Sequence, residues 1–570
     1  MNHLAVPRHP LNVKPSGNHI LLSDKEVLTF QERWSKDLGL LSIFSDELLY
    51  EIISLIDNAS DLKNFGHASR ILYAFTYQDE LWKNLYLQHN GEDSLSIDWK
   101  GSWRKTLLRV NEEAKPQCPN NLLCSDLLFR PYQCSKIDYN ELCRRIIAEE
   151  KVYHKKGITE QPKDSFYRSV LRIPEKEVSL QYFEKNLINH PFILTNSGVS
   201  DRWPSWSLAS LLERFPKVNF RQESVKWSLE AYSRYLSENS DESPLYLFDC
   251  DSSAISQLSK EYQVPVCFQN DLFTVLNEES DTVEGKDIVN CRPNFRWLII
   301  GSSRTGSTFH KDPNSTCAWN AVLSGCKLWI MIPPHLTPPG VGTDKDESEV
   351  TSPVSLAEFF LSGFFNDILK LSKDHENEVY VSVVFAGECN YVPKGWWHLV
   401  VNIDDTVALT QNFVPSPVLP SVLEFFERKS DQISGFHSAK LVKSLNVLLE
   451  RMEKIDSSDA DFILRKQSLK KYIDSHETKS APKTAKRDIL HDEVDDDEEI
   501  CEIPLLEAFE ELLIEKGYSE VLESAILQNQ VKNSKKQTKG WHDVVQSRNN
   551  EEQGQSSGFA FDFDLCEDSD

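Results

Sequence analysis

Apolar residues recur along this chain in two rhythms. Between residues 38 and 86 they fall three and four apart, at Leu48, Ile52 and Leu55, then Leu62 and Phe65, then Leu81 and Leu85. Each set shares a helical face, which predicts three short helices. From about residue 190 the rhythm shortens. Compact apolar runs over 191–194, 245–248 and 295–301, bounded by turn residues, predict strands. Residues 333–377 interrupt this strand-rich stretch with prolines and glycines unsuited to regular strands, and within them 356–371 has the pattern of one amphipathic helix. Helical spacing returns over 422–426 and 441–452. It appears again over 503–516, which starts near Pro504 and stops before Gly517.

Short strands separated by turn residues suit an antiparallel barrel that holds a small ligand, with helices covering the outside. Candidate chemistry sits inside this region. His310 and Asp312 are two residues apart in a segment that reads as a strand, and side chains at i and i+2 of a strand share one face. His398 lies 88 residues further on, after a Pro393-Lys394-Gly395 turn, and leads into another apolar strand. Two histidines and a carboxylate on one face, with the opposite face open, form the ligand set of non-haem Fe(II) oxygenases.

Several ordered motifs accompany this trio: SPLYLFD at Ser243–Asp249, HxDP at His310–Pro313, AWN at Ala318–Asn320, GCKLW at Gly325–Trp329, VPKGWWH at Val392–His398 and TQNF at Thr410–Phe413. Together they resemble a Jumonji C (JmjC) domain of the Fe(II)/2-oxoglutarate oxygenases, in the branch of the Jumonji lysyl hydroxylase first described as a phosphatidylserine receptor. The resemblance implies an α+β protein built on a double-stranded β-helix, jelly-roll or cupin-like, over 165–415. It also implies Fe(II) held by His310, Asp312 and His398, and 2-oxoglutarate as cosubstrate. Lys327 falls in the family's GxK motif and is the expected partner of the distal 2-oxoglutarate carboxylate. Asn320, Thr410 and Tyr246 fall on matching motif positions, with Asn402 expected to reach the same pocket. Ser307 stands where the branch tends to have threonine.

Residues 38–86 resemble an F-box, with DL at Asp61-Leu62 and LWK at Leu81–Lys83, although Phe44-Ser45 stands where Leu-Pro is usual. That resemblance implies a Skp-type partner. The expected layout is a flexible N-terminus (1–37), the F-box-like helices (38–86), a connecting segment packed on the barrel (87–164), the JmjC barrel (165–415) and a helical extension (416–475). An acidic linker (476–502), a helical segment (503–530) and a disordered tail (531–570) complete it.

Composition narrows the function. A chain of 570 residues exceeds one core, and no apolar run approaches the roughly 20 residues of a membrane span. Twelve cysteines without paired spacing and no secretory segment point to a reducing compartment, hence nucleus and/or cytoplasm. A net charge of −26 disfavours nucleic acid and favours a basic protein substrate, with tRNA kept as a lesser alternative. Two classes follow. One is a dioxygenase that hydroxylates or demethylates a lysine or arginine side chain, histones included. The other is an adaptor of an SCF-type ubiquitin ligase that uses the barrel to recognise a target.

Overall fold

The computed structural model describes residues 8–14, 24–90, 97–111, 123–156, 165–195, 202–278, 288–374, 378–477 and 503–534. The acidic run 492–499 and the aromatic C-terminal segment lie outside them.

Side-chain caps set the N-terminal helices. Ser45, Asn58 and Ser69 each accept backbone N–H groups at the starts of Asp46–Ser54, Ala59–Gly66 and Arg70–Thr76. With Asp79–Asn90, residues 38–86 hold four α-helices where spacing predicted three. The added one is Arg70–Thr76, buried on all sides, so it carries no amphipathic rhythm. The flexible N-terminus expected over 1–37 is also corrected. Asp24–Leu38 is a helix, and its Trp34 packs edge-on against Phe75 at 6.1 Å. Ahead of it, β1 (Val13–Lys14) pairs in parallel with β2 (Leu123–Cys124).

One buried carboxylate, Asp241, helps to tie this helical module and the segment after it to the barrel. The Trp103 indole N–H donates to Asp241 at 2.9 and 3.0 Å, the Tyr235 hydroxyl donates at 2.7 Å, and Lys83 lies 3.6 Å away. From the connecting segment, the helix Arg144–Lys156 lies on the barrel's outside and delivers Glu150 to Arg172, which also pairs with Glu388. All three are buried, so the ion cluster ties that helix to the strands.

The strands that follow are β3 (Leu171–Pro174), β4 (Phe192–Thr195), β5 (Asn219–Gln222), β6 (Val225–Ser228), β7 (Leu247–Asp249), β8 (Arg296–Gly301), β9 (Gly306–His310), β10 (Cys317–Ser324) and β11 (Cys326–Ile332). A small hairpin, β12 (Gly342–Thr343) with β13 (Val350–Thr351), precedes β14 (Tyr380–Phe385), β15 (Cys389–Val392), β16 (Trp397–Asn402) and β17 (Thr406–Phe413). They form a nine-stranded sheet in the order β3-β4-β15-β10-β17-β8-β7-β5-β6 and a four-stranded sheet in the order β14-β11-β16-β9. All neighbours in these two sheets run antiparallel except β3 and β4, and the two sheets form a jelly roll. Every residue of β11 and of β17 is buried, because helices cover the faces that do not line the interior. At Gly325 the chain crosses from one sheet to the other with φ +75°, and a Cβ there would stand 2.3 Å from the Asp405 carbonyl oxygen.

Two further expectations change. The single helix expected over 356–371 is two, Leu356–Leu361 and Phe364–Lys373, broken where Gly363 takes φ +89°. The insertion holds the β12–β13 hairpin as well. Near the C-terminus, Leu505–Glu515 is followed by a helix over 519–534, so residues 531–534 belong to it and not to the tail. Its Lys532 reaches Glu424 and its Asn533 accepts from Arg428, which hold that end on the helix Leu419–Arg428.

Candidate metal and cosubstrate site

The site is assembled where β9 meets β16. Their register pairs His398 with His310 but Val400 with Ser307, so two steps on β16 oppose three on β9. This β-bulge turns Phe309 outward onto Phe359 and lets Ser307 and His310 face the same interior. Without it, strict alternation would place Ser307 and His310 on opposite faces. Asp312 was expected on the strand with His310. It lies just beyond the end of β9, in extended backbone at φ −62° and ψ 143°, and still converges.

One ligand atom from each of His310, Asp312 and His398 lies within 4.8 Å of the others. The two imidazoles are held alike. His310 Nδ1 lies 2.8 Å from the Thr308 carbonyl and His398 Nδ1 lies 3.1 Å from that of Trp396, two residues back in each case. A carbonyl requires an N–H there, which leaves each Nε2 lone pair available to a metal. Burial, with His310 alongside, holds the His398 imidazole well below its ordinary pKa, so it is present in the neutral form that ligates. Burial also raises the Asp312 carboxyl, against lesser opposing effects of His310 and Asn412, and its Oδ2 is buried without a hydrogen-bond partner. An unsatisfied buried carboxylate oxygen beside two oriented imidazoles fits a divalent cation.

These residues line a cavity of about 230 Å³ that also takes in Lys327, Tyr246, Asn320, Thr410 and Ser307. Strand alternation explains the grouping. Asn320 of β10 is opposite Thr410 of β17, which is opposite Trp297 of β8, so one row crosses the interior. Lys327 is 1% exposed and donates to the Tyr246 hydroxyl at 2.7 Å. Among the described residues no carboxylate pairs with it, and burial alone pushes its pKa down to about 7. Thr410 Oγ1 donates to the Trp319 carbonyl at 2.9 Å.

Asn402 departs from expectation. It is fully buried, donates to Thr305 Oγ1 at 2.7 Å and neighbours the Tyr246 hydroxyl, so it braces Tyr246 and is not among the residues that line the cavity. Asn402 is opposite Lys327, two same-face positions beyond His398 on β16. Sequence reasoning missed Asn412, which contacts Asp312 and bonds Thr316 Oγ1 at 2.9 Å, and also the cavity-lining Phe248 and Trp297. Alternation from Thr410 and Tyr246 was the available signal for Asn412 and Phe248.

The turn between His310 and Asp312 is held from outside the barrel. Lys311, between the two HxD ligands, pairs with Glu347 of the β12–β13 hairpin at 2.7 Å and lies 4.6 Å from the Trp397 ring centroid. Lys429 and Gln432 in turn hold the Asp346 carbonyl of that hairpin.

Comparison with known proteins agrees with this geometry. Residues 175–418 match the model of the cupin-like domain. The chain is 34% identical over 445 residues to the arginine-specific demethylase JMJ22 of Arabidopsis thaliana, covering 76% of this chain and 79% of that protein. It is 28% identical over 260 residues to the bifunctional arginine demethylase and lysyl-hydroxylase psr-1 of Caenorhabditis elegans, covering 44% and 62% respectively. It is 27% identical over 216 residues to the 2-oxoglutarate and iron-dependent oxygenase JMJD4 of Mus musculus, covering 37% and 45%. With this match across most of JMJ22 and a His-Asp-His group that could hold a divalent cation, the chain belongs to the cupin-like JmjC family of Fe(II)- and 2-oxoglutarate-dependent oxygenases.

Proposed function

We propose that this chain oxidises a C–H bond on a lysine or arginine side chain of a protein, histones among the candidates. The product is either a hydroxylated residue or, through an unstable hydroxymethyl group, a demethylated one. In this reading His310, Asp312 and His398 hold Fe(II), while Lys327, Tyr246, Asn320, Thr410 and Ser307 receive 2-oxoglutarate. Bound Fe(II), 2-oxoglutarate and O2 supply the oxidant. The observation that carries the reading is Lys327, a buried ammonium with no carboxylate partner among the described residues, in the same cavity as the trio. Such a cation is costly to keep without an anionic ligand. Tyr246 accepts its hydrogen bond, so the phenol proton remains free for a carboxylate oxygen. Trp329, Val400 and Ile299 exclude water from the rest of the wall.

The names of the relatives support a lysine or arginine target, and the net charge of −26 suits a basic protein better than tRNA. A nuclear or cytoplasmic setting is consistent with this reading. The deciding measurement is mass spectrometry of candidate proteins after reaction with iron and 2-oxoglutarate. Gain of one oxygen atom on an unmodified residue assigns hydroxylation, and loss of a methyl group assigns demethylation. Succinate formation with neither product on any lysine or arginine would remove the protein-side-chain reading.

A second reading, an F-box adaptor that recruits a Skp-type subunit of a ubiquitin ligase, has its own support. Leu40, Ile43 and Leu55 are 91%, 81% and 80% exposed, with Leu48 about half exposed, all in the stretch 40–55. Exposed apolar side chains so closely spaced along a chain suit an interaction surface. The Leu48→Asp, Ile52→Asp double variant is expected to lose capture of a Skp-type protein in a pull-down while 2-oxoglutarate turnover is retained. No capture by the well-folded wild type would sink the adaptor reading.

A further inference from the structure

A second cavity, of about 260 Å³, opens beside the first and shares Trp297, Pro313 and Asn412 with it. It lies outward along the strands. Thr410 is opposite Trp297 in the inner row, and the Asn412 N–H donates to the Phe295 carbonyl in the next. Its outer wall is not barrel. Residues 434–437 of the C-terminal extension supply it, held by a reciprocal clamp in which the Asn314 side-chain amide donates to the Ser434 carbonyl at 2.9 Å and its Oδ1 accepts the Ser434 N–H at 3.1 Å. Asn314 is two residues past Asp312, so the extension is fastened to the turn that carries a metal ligand. Gly435, at φ +80°, fits against Pro293, which a Cβ would meet at 3.1 Å.

The chemistry of the wall is one-sided. Arg292, His437, Asn294 and Asn314 line it, and none of its lining residues is acidic. The Arg292 side chain is 4% exposed, donates to Asp271 at 2.6 Å and to the Asn412 carbonyl at 3.1 Å, and keeps a buried Nε–H with no acceptor. A lysine or arginine side chain entering here would be desolvated with no acidic residue in the wall, whereas a carboxylate would lie beside the Asp271-paired Arg292 guanidinium and the Asn294 side-chain amide.

We infer that this outer cavity is the subsite for a residue flanking the oxidised one, and that it selects an aspartate or glutamate. The inference rests on the protein-side-chain reading above and deepens it. The cavity shares Trp297, Pro313 and Asn412 with the metal pocket, so a peptide whose target side chain reaches the metal brings its flanking residues to this wall. Its occupant is therefore a neighbour of the target in the same chain. Ser434 meets Asn314 through backbone atoms only, so its side chain can be enlarged without breaking the clamp.

The test uses the full chain loaded with Mn(II) and 2-oxoglutarate, so that peptides bind without turnover. Peptide libraries with a central lysine or monomethylarginine and randomised flanks are captured and read by mass spectrometry. Wild type and Ser434→Ala are expected to enrich Asp or Glu over Lys or Arg at one flanking position by roughly tenfold, the scale of a hydrogen bond to a charged group. Ser434→Trp fills the cavity and is expected to bring that ratio to parity. Succinate formation without peptide, measured with Fe(II), should be the same in all three proteins. No positional preference, a preference for basic or apolar residues, or an acidic preference unchanged in Ser434→Trp overturns the inference. Loss of succinate formation from the wild type would count against the oxygenase site instead, so the two failures are distinguishable.

Discussion

Alanine at His310 or Asp312 should reduce 2-oxoglutarate-dependent succinate formation to background while the fold survives. Changing groups that merely orient a metal's ligands costs about 10–100-fold in affinity or activity, and a direct ligand is worth more. The fold should survive because the trio is poorly satisfied without a cation. Asp312 Oδ2 is buried and unpartnered, and burial raises the carboxyl's pKa. Removing that carboxylate takes away a desolvation penalty as well as a ligand, so the metal-free Asp312→Ala protein should melt no lower than metal-free wild type. Added Mn(II) should raise the melting temperature of wild type, since a ligand that binds only the native state stabilises it, and should leave the variant unmoved. Full turnover by the His310→Ala, Asp312→Ala double variant would remove the metal assignment.

The second large effect is on the cosubstrate. Lys327→Ala should raise the apparent KM for 2-oxoglutarate by roughly ten- to hundredfold, since a hydrogen bond to a charged group contributes about 1.5–3 kcal/mol, with metal binding retained. The pH dependence follows from its sign. Burial lowers the ammonium to about 7 in the unliganded protein, so the charged form that attracts a carboxylate predominates only below that pH. Above it, 2-oxoglutarate binding must be accompanied by proton uptake, and affinity should weaken by up to roughly tenfold per pH unit. Lys327→Ala should lose that slope together with the affinity. An unchanged KM in the variant would transfer the anchoring role to Tyr246 or Asn320, the other polar groups of the same wall.

Much of the site is legible in the chain because strand periodicity is local. Once β10, β11 and β17 are recognised, alternation alone puts Ala318 with Asn320, Lys327 with Trp329 and Thr410 with Asn412 on shared faces, and all six line the cavity. The motifs around His310 and His398 single out the candidate trio, because each motif is contiguous. Helix ends at Ser45, Asn58 and Gly517 are also local, since a cap bonds only to its own first or last turn.

What local pattern cannot carry is how strands are set against one another and which distant segments meet. The bulge at β9 that turns His310 inward exists only in its pairing with β16, and Asn402 meets Lys327 only through the register of β16 with β11. The helix Asp24–Leu38 and the fully buried Arg70–Thr76 depend on tertiary burial, which erases the amphipathic signal or supplies a partner the sequence does not announce. The segment 311–314 is the extreme case. Lys311 finds Glu347 36 residues away, and Asn314 finds Ser434 across 120. The amino-acid sequence by itself determined the family, and it singled out His310, Asp312 and His398, a group that could hold a metal, together with Lys327 of the same cavity, because each is written in a contiguous motif. Only the tertiary structure decided how the insertion and the C-terminal extension close around that centre, because side chains so far apart in sequence are brought together by packing of the whole core.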